Sequence, residues 1–126
     1  MKEEQYIQTA ICNYIRANYP EVIFTSDLSG IRLPMHLAKM VKPLKSSRGM
    51  PDLLILQPSS KYNYSALFIE LKAPGAKITK KDGQLKSDPH LNEQRAIIDR
   101  LNQLGYSAHF AVGFEQARSI IDDYLK

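Results

Sequence analysis

Tyr6, Ile7, Ala10, Ile11, Tyr14 and Ile15 recur at helical spacing. The segment EEQYIQTAICNYIRANY therefore predicts an amphipathic helix that stops before Pro20. The β-branched run EVIFT predicts a short strand. From Asp27 to Gly49 the period is lost, and Gly30, Pro34, Pro43 and SSRG punctuate a long connection in which MHLAKMV suits a short helix. Two strands follow, DLLIL and YSALFIELK, joined by the polar stretch QPSSKYN. APGAKITKKDGQLKSDP reads as a loop, broken up by Pro74, Gly75, Gly83 and Pro89. HLNEQRAIIDRLNQL predicts a second amphipathic helix, with Leu91, Ile97, Ile98, Leu101 and Leu104 on one side and Gly105 at its C-terminal end. SAHFAVG predicts another strand, and FEQARSIIDDYL a closing helix. The order is helix, strand, strand, strand, helix, strand, helix: a mixed α/β domain without repeats, linkers or low-complexity blocks.

The two central strands can be set in register by their turn. A hairpin centred near Lys61 places residue 52 opposite residue 70. Side chains alternate with period two, so Glu70 and Lys72 share a face and Leu71 points the other way. Two carboxylates opposed at the rim of a core repel each other unless a positive charge sits between them. A divalent cation meets that need, because Mg²⁺ takes hard oxygen ligands, often one or two carboxylates plus phosphate oxygens. Lys72 alone could also neutralise the pair, leaving an ordinary salt bridge beside a Pro51-Asp52 turn.

Composition narrows the setting. The 126 residues suffice for one hydrophobic core, so residues 1–126 are expected to form a single domain. No apolar run approaches the roughly 20 residues that span a bilayer, and the N-terminus lacks a signal-peptide core. A soluble, cytoplasmic protein without membrane contact is expected. The single cysteine, Cys12, leaves no disulfide framework and no cysteine zinc site, and His36, His90 and His109 have no zinc-site spacing. Without GxxxxGK[ST] or GxGxxG, no nucleotide cofactor is expected. The net charge of +4 is modest, but its distribution is informative. Arg32, Lys39, Lys42, Lys45 and Arg48 lie together with no acid among them, and Lys72, Lys77, Lys80, Lys81 and Lys86 are relieved only by Asp82. Two basic groups flanking the same strand pair favour a polyanionic partner.

The PD of GMPDLLIL followed by ELK in ALFIELK resembles the PD-(D/E)xK nuclease superfamily, whose αβββαβ core matches the element order read above, here with a C-terminal helix. More narrowly, EQYIQ, RGMPDLLI, FIELK, the lysine- and glycine-rich loop and EQRAIIDRLNQLGYSAHFAVG resemble the VRR-NUC family, from Glu4 to about Gly113. That resemblance implies that Asp52, Glu70 and the Leu71 backbone carbonyl ligate a catalytic Mg²⁺, with Mn²⁺ as a substitute. Lys72 would hold and polarise the attacking water. Glu4 matches the family's first-helix acid, with Glu3 as the other candidate, and Gln94 matches a glutamine that helps orient the site. Gln8 is a weaker match of the same kind. Ser26 and Ser29 lie in a segment often polar in the family.

The function implied is metal-dependent hydrolysis of DNA phosphodiester bonds by in-line attack of water. Lys45 and Arg48, with Lys77, Lys80 and Lys81, are expected to contact backbone phosphates, which adds affinity rather than sequence reading. With no further domain to read sequence, branched or flap DNA in replication or repair is the expected substrate. The relatives imply a homodimer, for which Ile120, Ile121 and Tyr124 are candidate surface if they are not core. Three other readings stay open: a non-catalytic DNA-binding module of the same fold, an interaction or assembly protein whose hairpin carries an ordinary salt bridge, and a sequence-specific restriction-type endonuclease.

Overall fold

The computed structural model describes residues 2–26, 34–44, 46 and 49–126. Helix α1 (Lys2–Asn18) leads into strand β1 (Phe24–Ser26), followed by the short helix α2 (Met35–Val41) and a single 3-10 turn, Lys42–Leu44. Strands β2 (Leu53–Ile55) and β3 (Leu67–Lys72) come next, then α3 (Pro89–Gln103), β4 (Ser107–Val112) and α4 (Phe114–Leu125). The four strands form one sheet in the order β1-β2-β3-β4. The first three run antiparallel, and the α3 crossover returns β4 parallel to β3.

The sheet is covered on both faces. On one, α1 and α4 bury Ile7, Ile11, Ile15, Ala117 and Ile121 against Leu53, Ile55, Leu67, Ile69, Leu71 and Ala111. On the other, Ile98 and Leu101 of α3 pack on Ala66, Phe68 and Ala108. Strand β3 has neighbours on both edges and helices on both faces, so all six of its residues are buried. A strand in that position reads as an almost continuous apolar run. Glu70 and Lys72 are its only charged members, and they are buried with the rest.

The hairpin register is Leu53 opposite Ile69, Leu54 opposite Phe68 and Ile55 opposite Leu67. Continued by one residue, it sets Asp52 opposite Glu70. Helix α3 begins where Asp88 caps it: its Oδ1 accepts from His90 N at 2.9 Å and Leu91 N at 3.1 Å, with Pro89 in the first turn. Gly105, at φ +96°, ends it.

Some expectations shift. The first strand starts at Phe24 rather than Glu21, and Ile23 is exposed. Tyr6 and Ala10 face solvent, because α1 lies on one side of the sheet and needs only the narrower Ile7–Ile11–Ile15 stripe. Leu104 is exposed where the chain turns off α3. The lysine-rich segment after β3 is more than a loop. Thr79 bridges Leu85, Lys80 N donates to Gln84 O at 2.7 Å, and Lys86 N donates to Ile78 O at 2.8 Å, which makes a small hairpin. Ile121 and Tyr124 are core, and Ile120 is partly buried against it. Ile121 and Tyr124 are therefore not a surface on which a second chain could dock.

Candidate metal centre

Asp52, Glu70, Lys72 and Gln94 come together at the end of the sheet where β2 begins and β3 finishes. Each is buried, with exposures between 4% and 8%. Backbone geometry delivers them. The hairpin register aligns Asp52 with Glu70, the pleat puts Lys72 on the same face as Glu70, and α3 lays Gln94 across that face.

The contacts form a connected set. Leu71 N donates to Asp52 Oδ2 at 2.9 Å, tying the aspartate to the neighbouring strand. Gln94 Nε2 donates to Glu70 Oε2 at 2.9 Å. Lys72 Nζ stands 3.6 Å from the same Oε2, an ion pair rather than a short hydrogen bond. Glu70 Oε1 and Gln94 Oε1 are buried without a hydrogen-bond partner. Burial pushes the Glu70 carboxyl up to about 9, and the Asp52 carboxylate adds to the rise. The Lys72 ammonium works in the other direction, and Glu4 contributes a further, smaller rise.

Two buried acceptor oxygens lacking a donor, beside a second carboxylate, form a site short of positive charge. Their hard-oxygen chemistry fits Mg²⁺ or Mn²⁺ and not a softer ion. Asp52 and Glu70 would hold such an ion, and two carboxylate ligands leave the rest of its coordination shell to water and phosphate oxygens. Among the described residues, no group of three His, Cys, Asp or Glu side chains stands close enough to hold a metal. Glu4 thus reaches Glu70 through its field rather than as a member of a three-acid cluster, whereas Glu3 is exposed. Leu71 contributes its N–H to Asp52.

The model of the VRR-NUC domain matches residues 3–115. The chain belongs to the VRR-NUC domain family. A solved structure described as "VRR_NUC domain protein" has the same fold, with a TM-score of 0.64 and 23% identity over 97% of this chain and 87% of that one. No protein among the curated ones matches. VRR-NUC domains are nucleases acting on DNA, so the chain has a nuclease role in general terms. The strand and helix order agrees with the PD-(D/E)xK core expected from the sequence.

Other residues of this VRR-NUC chain fall into place around the centre. Gln8 Nε2 donates to Ser26 Oγ at 2.6 Å, and Ser26 Oγ donates to the Asp52 carbonyl at 3.3 Å. That chain links α1 and β1 to the aspartate's backbone. His90 Nε2 lies 3.3 Å from Gln94 Nε2, a neighbour that the spacing of histidines does not suggest. Nor does the sequence pattern mark Gly49 as part of the site. A Cβ there would lie 3.0 Å from Gln94 N and from the Glu93 carbonyl, and φ is +82°. Only glycine lets the turn before Asp52 touch the α3 backbone at Gln94. Lys77, Lys80 and Lys81 are exposed on the small hairpin after β3. Ser29, Lys45 and Arg48 lie outside the described residues. Among the described residues, no helix is long and apolar enough to cross a membrane.

Proposed function

We propose that this chain is a Mg²⁺- or Mn²⁺-dependent DNA endonuclease that favours branched, junction or flap DNA. The observation that supports this reading most strongly is the charge-deficient cluster on β3. A fully buried central strand ends in Glu70 and Lys72, faces Asp52, and leaves Glu70 Oε1 without a donor. A structural ion pair would satisfy its oxygens, because a half-satisfied buried network is worse than an apolar one.

A bound divalent cation would stabilise charge on the scissile phosphate and lower the pKa of water. The protein's own groups do the rest. Asp52 and Glu70 would hold the cation, with Asp52 itself held in place by the Leu71 amide. Gln94 fixes the Glu70 carboxylate through Oε2. Lys72 carries donors and no acceptor, so it can orient and polarise an attacking water without competing for that water's proton. The exposed Lys77, Lys80 and Lys81 supply phosphate contacts, as Lys45 and Arg48 would. Working as a homodimer belongs to the same proposal, as does a cytoplasmic role in replication or repair.

Thermal unfolding of the wild type in EDTA, Mg²⁺ and Mn²⁺, paired with digestion of a labelled flap, tests the proposal. A ligand that binds only the folded state raises its stability, so both cations should raise the Tm, and cutting should require them. Cutting in EDTA, or a Tm indifferent to either cation, would overturn it.

A further inference from the structure

The small hairpin after β3 does more than display lysines. Between it, α3 and the outer strand β4 runs an open groove of about 1000 Å³, lined by Lys77, Ile78, Leu85, Arg95, Phe110 and Val112. Its position is set by the parallel register: Phe110 pairs with Glu70 and Val112 with Lys72. Paired residues share a face, and adjacent strands lie about 4.8 Å apart. The groove therefore opens one strand away from the candidate metal centre, on the same α3-covered face. Its hairpin wall follows directly in sequence from Lys72.

The lining has two parts. Ile78, Leu85, Phe110 and Val112 give an apolar and aromatic floor, while Lys77 and Arg95 stand at the rim. Asp99 also lines the groove and pairs with Arg95 at 3.7 Å, both side chains being exposed, and Asp82 accepts from Gln84 N at 3.0 Å, so the excess of positive charge comes from the hairpin lysines. The hairpin still carries Lys77, Lys80, Lys81 and Lys86 against Asp82 alone. A basic rim over an apolar floor matches single-stranded nucleic acid, whose phosphates meet the cations while unpaired bases stack on apolar surface. A duplex keeps its bases stacked inside and cannot use the floor. We propose that this groove seats a single-stranded DNA extension beside the scissile phosphate. The proposal rests on the nuclease reading and names the feature of branched DNA that the protein grips.

The test is fluorescence anisotropy with the full chain in EDTA, where nothing is cut, using labelled oligo-dT and a blunt duplex of equal length. The probe proteins are wild type, Phe110→Ala to remove the aromatic part of the floor, and Arg95→Glu to invert its rim. Arg95 is exposed, so its replacement leaves folding intact even if loss of the half-buried Phe110 ring does not. Each variant should weaken oligo-dT binding roughly tenfold or more, and blunt-duplex binding by less than about threefold. Arg95→Gln should lower the salt slope for oligo-dT by about 0.7, the value of one single-strand phosphate contact. Equal losses on both probes, or none on oligo-dT, would overturn the proposal. So would a change in solution mass for Arg95→Glu without a change in oligo-dT binding, since a second copy would then be the occupant. A wild type that grips oligo-dT in this way but never cuts DNA would support the groove while refuting the nuclease reading.

Discussion

Replacing Glu70 by glutamine separates what this carboxylate contributes to the fold from what it contributes to the chemistry. The carboxyl is pushed up to about 9 from an ordinary value of 4.5, first by burial and then by Asp52. Between those two values the folded, metal-free protein keeps a proton that the unfolded chain has released. Stability therefore falls as pH rises through that window. At pH 7 the cost is on the order of 3 kcal/mol, since every tenfold change in proton affinity between the two states corresponds to about 1.4 kcal/mol. That is a large share of the roughly 5–15 kcal/mol that holds a domain together. Glu70→Gln removes the titration, keeps the shape, and can replace the unpartnered Oε1 with an NH₂. In EDTA the variant and wild type should melt at similar temperatures near pH 5, with the variant gaining roughly 15 °C by pH 8. Scanning calorimetry across that range, with and without Mn²⁺, is the assay. Mn²⁺ should close the gap from the wild-type side, and the variant should no longer cut DNA. A gap that stays constant with pH, or a variant less stable at pH 8, would show that Glu70 holds no proton in the folded, metal-free protein.

Three further outcomes are expected. Lys72→Ala should lower single-turnover cleavage by about 10²-fold or more while Mn²⁺ still raises the Tm, because the lysine acts on water and not on the cation. Gly49→Ala should cost about 1–3 kcal/mol in urea unfolding and slow cleavage, because its methyl meets the backbone at Gln94 and its φ is left-handed. Asp122 ties α4 to α1 by accepting from Tyr14 Oη at 2.7 Å and Tyr19 Oη at 2.7 Å. Burial alone would raise its carboxyl, but those phenols, with Lys126 and Arg118, hold it below its ordinary value. The stability it gives is thus present at neutral pH and lost as pH falls through the folded-state value. Asp122→Ala should cost about 2 kcal/mol at pH 7 and less near pH 3, with cleavage unchanged.

Much of this architecture was legible in the residues because local rules and tertiary packing agree. The turn centred at Lys61 and the two-residue pleat brought Asp52 to Glu70 in the register that the sheet adopts. MHLAKMV and FEQARSIIDDYL form helices over the residues their patterns mark. What escaped depends on contacts between distant segments. The approach of Gly49 to α3, the Gln8–Ser26–Asp52 link and the place of His90 beside Gln94 carry no periodic signal. The small hairpin was hidden because its turn residues look the same as loop breakers, and only the Thr79–Leu85 bridge distinguishes them. Tyr6 and Ala10 matched a helical stripe wider than the sheet could cover. Ile121 and Tyr124 went to the core because α4 packs against the buried β3 and β4.

We propose that Asp52, Glu70 and Lys72 form a metal-dependent nuclease centre. Its most direct test is side-by-side digestion by wild type and Asp52→Asn, which keeps an oxygen for the Leu71 amide. The substrates are labelled four-way junction, flap and plain duplex DNA, each in EDTA, Mg²⁺ or Mn²⁺. Cutting is expected from wild type alone, only with a cation, and faster on the junction or flap than on the duplex. Equal cutting by both proteins, or no cutting by a folded wild type on any substrate, would contradict it.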